Sequence, residues 1–203
     1  MNELQRTIIE AALPQVVFDG WSMPMLRRAA REAGLAPLEA DRAFSGGVIE
    51  ALNLWTRDVN DQLEATLAKD YALSEMKIRE RIAAAVMANF RMMQPHREAV
   101  RRALAIYALP WHAADGLKGL YHTVDVMWRA AGDTSTDWNF YSKRALLSKV
   151  YLSSLSVWLN DESENLEETE AFLRRRIDDV MQIQKAKFKL KAWGEKLRPK
   201  TAS

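Results

Sequence analysis

Glycine and proline cut this chain into segments whose apolar residues recur at three- and four-residue spacing, the period of an α-helix. The first segment carries Leu4, Ile8, Ala11, Ala12 and Phe18 on one face and stops at Gly20. Ser22 can cap a second, with Pro24 in its first turn, that ends at Ala33 before Gly34. A short third runs from near Pro37 to Phe44, and Ser45-Gly46-Gly47 breaks the chain. A fourth runs from about Val48 to Ala68. Beyond Tyr71, Ile78, Ile82, Ala85, Val86, Asn89 and Phe90 form a stripe that Pro95 stops. Pro95 opens a helix through Ile106, and Pro110 opens the next, to about Ala131. Gly132-Asp133 makes a turn, and Thr134 to Asp137 supplies caps for a helix to Leu159. A last helix runs from about Leu166 to Leu197. The pattern predicts an all-α fold.

Ala, Leu, Arg, Glu, Lys and Met dominate the composition, which suits helices. With 48% hydrophobic and 28% charged residues the chain can bury a core. It has no Cys, so disulfides and thiolate metal sites are excluded. No apolar run approaches a membrane span. Asn2 to Phe18 is acidic and reads as a folded helix, so neither a secretory leader nor an Arg-rich transit segment is expected. The expected compartment is a bacterial cytoplasm, peripheral on the inner membrane. If a transit segment has been removed, it is the mitochondrial matrix side.

Two helices joined by a short Gly-containing turn and packed on a preceding helix make a helix-turn-helix pattern. Phe18-Asp19-Gly20-Trp21-Ser22, followed by Leu26 to Leu35, resembles the opening of TetR-family regulators. The long helices after it fit that family's ligand and dimer domain. The charges of the head oppose DNA binding. Its third helix reads Pro37-Leu38-Glu39-Ala40-Asp41-Arg42-Ala43-Phe44, which would turn two carboxylates toward phosphates. Residues 1–60 hold six bases against eight acids, and phosphate neutralisation supplies almost all non-specific DNA affinity. No nucleic-acid partner is expected. A TetR-type ligand-responsive regulator is the alternative reading.

The run from Ala131-Gly132-Asp133 through Trp138-Asn139-Phe140-Tyr141-Ser142-Lys143-Arg144-Ala145 has more aromatic surface than one helix face can bury, since successive positions lie about 100° apart. Trp138 is equally compatible with plain core. With Val126-Met127-Trp128 before it, this run resembles the coenzyme Q protein nine family, lipid-binding accessory proteins of ubiquinone biosynthesis with a TetR-like fold. The order Trp138 then Phe140 inverts the Phe and Trp more usual in relatives. The resemblance implies that Asp137, Phe140, Tyr141 and Arg144, with Met127, dock a di-iron demethoxyubiquinone hydroxylase. It also implies an isoprenoid lipid, quinone precursor or phospholipid as ligand.

Gly116 and Gly119 lie inside a helical pattern, where each costs about 1 kcal/mol against Ala. Either close helix packing or a ligand on bare backbone must compensate. Met87, Phe90, Ile106, Tyr107, Trp111, Gly116, Leu120 and Trp128 are the candidate lipid-binding residues; each by itself reads first as ordinary core, and the pocket is what the resemblance implies.

The C-terminal segment carries its own signal. Ile183, Ala186, Leu190, Trp193 and Leu197 fall on one narrow helical stripe, and Lys185, Lys187, Lys189 and Lys191 flank it. A basic amphipathic helix with a Trp suits a membrane interface, so Ile183, Lys187, Leu190, Lys191, Trp193 and Leu197 are the candidate membrane-binding residues. A dimer helix with a solvated Lys face is the other reading. Before it, the acidic stretch Asp161 to Glu170 reads as a linker with no base.

His96, His112 and His122 lack metal-ligand spacing, and neither a His-Glu-x-x-His motif nor a Gly-rich phosphate loop is present. No catalytic residue, metal or cofactor is expected, and the chain is not expected to be an enzyme. The reading is a homodimer in three parts: a helix-turn-helix-like head (1–47), a helical lipid-binding and dimerisation domain (48–180), and a basic amphipathic helix with its tail (181–203).

Overall fold

A computed structural model describes residues 1–70, 73–134 and 138–196, without the side chains of 70, 138, 139, 181 and 183–196. Every regular element among them is helical: α1 (Glu3–Asp19), α2 (Met23–Glu32), α3 (Leu38–Ala43), α4 (Val48–Asp70), α5 (Ile78–Met93), α6 (Arg97–Tyr107), α7 (Ala113–Ala130), α8 (Trp138–Trp158) and α9 (Glu167–Lys196). Most breaks fall where glycine and proline predict them, but the α4–α5 and α8–α9 breaks contain neither, and Pro14 lies inside α1 without ending it. Ser22 caps α2 by accepting from the Met25 N–H, and Gly20 and Gly34 take the left-handed conformation that only glycine adopts without strain. The capping box at Asn2 and Gln5 is a start signal that the apolar pattern does not show.

The chain packs as two compact units, Met1–Ser148 and Lys149–Ser203. In the first unit the head and the helices that follow it share one core. Ile8, Leu26, Phe44, Leu52, Trp55, Ala99 and Ala103 belong to the same buried cluster. Trp21 ties the head to α6, because its indole N–H donates to the Ala99 carbonyl at 3.0 Å. Its ring lies 5.3 Å from that of Trp55. A buried Trp needs such a partner for its polar edge.

The outer face of the head is self-neutralised. Arg27 grips Asp41 with two nitrogens, the closer at 2.7 Å, and Arg42 reaches Glu39 at 2.6 Å. Arg28 pairs with Asp19. The third helix is only six residues long, and its acids hold the neighbouring cations.

In the second unit a turn joins α8 to α9. Asp161, read above as part of an acidic linker, is buried and organises that turn. Its carboxylate accepts from the backbone N–H groups of Ser163 and Thr169, both at 2.8 Å, and from both hydroxyls. Burial pushes the Asp161 carboxyl up, but the hydrogen bonds from Ser163 and Thr169 outweigh it and hold the group down to about 2. Leu166, buried beside this cap, adopts a left-handed φ of 63°.

Candidate functional site

The residues that make the Gly132–Ala145 run distinctive surround a buried charge cluster in the first unit. Gly132, at φ +85°, lets the chain leave α7 sharply and places Asp133 next to the turn. Arg144, one turn beyond Phe140 on α8, reaches back to both sides of the junction. Its Nε donates to Asp125 Oδ1 of α7 at 2.6 Å, and Nη1 donates to Asp133 Oδ2 at 3.1 Å. Nη1 also donates to the Phe140 carbonyl at 3.1 Å. Lys143 takes the other Asp133 oxygen at 2.7 Å, and Arg129 takes the other Asp125 oxygen at 3.1 Å. Two carboxylates thus face two arginines and a lysine. Burial at this depth is tolerable because every charge has a hydrogen-bonded partner.

This arrangement corrects two expectations. Arg144 and Met127 were expected on the docking surface, yet Arg144 is 1% exposed and Met127 is fully buried. Arg144 instead acts from below. Its guanidinium stacks 3.3 Å from the centre of the Phe140 ring, and Phe140 meets Tyr141 edge-on at 5.2 Å. Phe140 is half-buried, and Tyr141 is 58% exposed. The exposed group of this stack is therefore Tyr141, which packs on Phe140, which in turn stacks on Arg144. Asp137 lies outside the described residues.

A second guanidinium braces the turn. Arg81 of α5 donates to the carbonyls of Met76, Ala131 and Ser74, at 2.8, 3.0 and 2.9 Å. Sequence reasoning missed Arg81, Asp125, Asp133 and Lys143 as parts of one cluster. Asp133 was visible next to Gly132, but nothing in the spacing joins it to Arg144, 11 positions on, or joins Arg81 to the Ala131 carbonyl, 50 positions on.

The eight candidate lipid-binding residues do not share one environment. Met87 and Phe90 of α5 are buried in the core, whereas Trp111 is 70% exposed before α7. Ile106 and Tyr107 are half-buried against the head's core cluster, and Leu120 and Trp128 are half-buried along α7. Trp128 keeps its indole nitrogen buried without a hydrogen-bond partner. Gly116 is explained by helix packing: a Cβ there would come within 2.8 Å of the Tyr107 Cβ. Of the two alternatives at Gly116, close helix packing and a ligand on bare backbone, the Tyr107 contact supplies the first. Its hydroxyl donates to Asn53 at 3.1 Å, and Asn53 donates in turn to Asp115 at 3.1 Å.

Of the candidate membrane-binding residues, Ile183, Lys187, Leu190, Lys191 and Trp193 lie within α9, as the helical reading expects, and their side chains are outside the described residues. Leu197 lies outside the described residues altogether. No described helix is long and apolar enough to cross a membrane.

Against known proteins, the family model COQ9 matches residues 113–184, which include α7, α8 and the clamp that Arg144 forms on Asp125 and Asp133. The chain is 33% identical over 200 residues to the ubiquinone biosynthesis protein COQ9-B, mitochondrial, of Xenopus laevis, covering 96% of this chain and 68% of that one. This chain belongs to the COQ9 family. It is 32% identical to the human ubiquinone biosynthesis protein COQ9, mitochondrial, over 97% of its own length and 63% of the relative's. It therefore spans slightly less than two thirds of the human family member. These relatives are named as mitochondrial, which lends no support to a bacterial cytoplasm. Among solved structures, a TetR transcriptional regulator from Nitrosomonas europaea superposes with a TM-score of 0.72 at 18% identity, covering 89% of this chain and 99% of the regulator. The COQ9 family member thus has the TetR-like fold that its head and the helices after it predict, and the likeness at that identity concerns fold alone.

Proposed function

We propose that this chain acts in ubiquinone biosynthesis as a non-catalytic, lipid-binding accessory protein that docks a di-iron demethoxyubiquinone hydroxylase. The observation that carries the reading is Tyr141, an exposed aromatic packed edge-on against Phe140, which in turn stacks on the buried Arg144. A rigid aromatic loses little entropy on binding and is a usual centre of a recognition surface. Membership in a family of ubiquinone biosynthesis proteins supplies the pathway.

In this reading the protein is a homodimer that lies on the membrane through Ile183, Lys187, Leu190, Lys191, Trp193 and Leu197. It takes up an isoprenoid tail, a quinone precursor or a phospholipid. A long isoprenoid leaves a bilayer only if apolar surface shelters it from water, at about 25 cal/mol per Å². Leu120 and Trp128, half-buried on α7, support a lipid-facing edge. Met87 and Phe90 would meet a tail only where α5 separates from α7. The regulator alternative has less support, because Arg27, Arg28 and Arg42 are held by the head's own acids. Replacing Tyr141 with Ala should weaken hydroxylase binding at least tenfold while leaving fold and extracted lipid unchanged. Unchanged hydroxylase affinity would remove the docking assignment.

A further inference from the structure

Tyr141 and Phe140 together are too small to make a stable interface. Two aromatic side chains offer about 150–250 Å² each, whereas a specific protein contact covers about 800 Å² on each partner. The docking surface must therefore continue onto neighbouring elements. The direction is visible on α7, where Leu117 is 67% exposed and Tyr121, one turn later, is 39% exposed. Residues four apart lie above one another on a helix, so these two form one stripe. The stripe leads to the clamp, because Asp125, one further turn along, is the residue that Arg144 grips. Burial raises the Tyr121 phenol most, Arg144 draws it down, and Asp125 and Tyr141 raise it further, which puts all four groups in one neighbourhood.

We infer that Leu117 and Tyr121 are binding residues of the same docking surface as Tyr141, and that they contact a protein rather than a bilayer. This inference rests on the hydroxylase reading above. The charges around the stripe favour a protein. A helix face that binds a membrane carries a fringe of unpaired Lys and Arg. Here Lys118 stands beside the stripe, while Arg129 is engaged by Asp125 and by Glu64 at 2.9 Å. The surface is apolar and close to neutral, with two phenol hydroxyls at its edge. It suits a folded partner that offers an apolar helical face and hydrogen-bond acceptors.

The test compares Leu117→Glu, Tyr121→Ser and Tyr141→Ala with Phe18→Ser, which removes a still more exposed aromatic from the head. Binding to purified hydroxylase is measured on full-length protein, with melting temperature as the check on folding. Leu117→Glu and Tyr121→Ser should each weaken binding at least tenfold, and Phe18→Ser should leave it unchanged. If Tyr141→Ala weakens binding while both α7 variants bind normally, the inference fails and the hydroxylase reading stands. If none of the three weakens it, the hydroxylase reading itself fails. A dimer mass lost on Leu117→Glu by native mass spectrometry would make a second copy the occupant. Lost co-sedimentation with anionic vesicles would make it a membrane. Either result overturns the proposal.

Discussion

The guanidinium of Arg144 lies 3.3 Å from the centre of the Phe140 ring while also neutralising Asp133 and Asp125. One buried side chain therefore closes the α7–α8 junction and supports the exposed Tyr141. Arg144→Met should cost about 3–5 kcal/mol, because it removes the buried cation that two carboxylates share and leaves them to partners such as Lys143 and Arg129. Urea unfolding monitored by circular dichroism would measure it. Arg144→Lys should recover only part of the loss, since a single ammonium cannot span both acids and the ring. Equal stability of Met and wild-type proteins would contradict the clamp.

Asp161 predicts an acid-sensitive turn. Its folded-state value of about 2 lies below the ordinary carboxylate value of 3.8, so its contribution is complete above pH ~4 and lost as pH falls toward 2. The shift corresponds to about 2 kcal/mol, roughly half of it gone by pH 3. Asp161→Asn should lower stability by a similar amount at pH 7 and remove that part of the acid dependence. Chemical denaturation at pH 7 and pH 3 would show both effects.

Two glycines on one helix should respond in opposite directions. Gly116→Ala drives a methyl group to within 2.8 Å of the Tyr107 Cβ and should destabilise by about 1–3 kcal/mol despite the better helix propensity. At Gly119 the nearest atom is the Thr56 methyl at 3.5 Å, an ordinary contact, so Ala should stabilise by up to about 1 kcal/mol. Thermal melts of the two variants would separate packing from ligand accommodation as the reason for Gly116.

The head should not be retained on DNA even at low salt. Glu39→Gln with Asp41→Asn releases Arg42 and Arg27 and adds two net positive charges. The double variant should acquire weak, sequence-independent retention whose salt slope steepens by roughly one to two. Tight, sequence-selective binding by the wild type would restore the regulator reading.

Most of the helical fold was legible because glycine and proline act locally. Gly20, Gly34 and Gly132 sit where left-handed turns are needed, and Pro24 opens the first turn of α2. The site was less legible because burial of charge is not local. Arg144 looks like a surface residue until the fold brings Asp125 and Asp133 to it, from 19 and 11 positions away. Asp161 looked like one acid among six, yet it alone turns inward as a cap. Met127 fell on the buried side of its helix, which the neighbouring aromatics obscured. Leu117 and Tyr121 were plain apolar positions in sequence, and only their exposure distinguishes them.

Arg144 and Asp133 are removed from solvent, with side chains 2% and 4% exposed, so dissolved ions screen their attraction poorly. A lysine-rich membrane contact is the opposite case, since it weakens within a Debye length as salt rises. The two proposed working surfaces should therefore separate in an ionic-strength titration. Salt would lift the protein off a bilayer while the seat of Tyr141 kept its shape for the next docking.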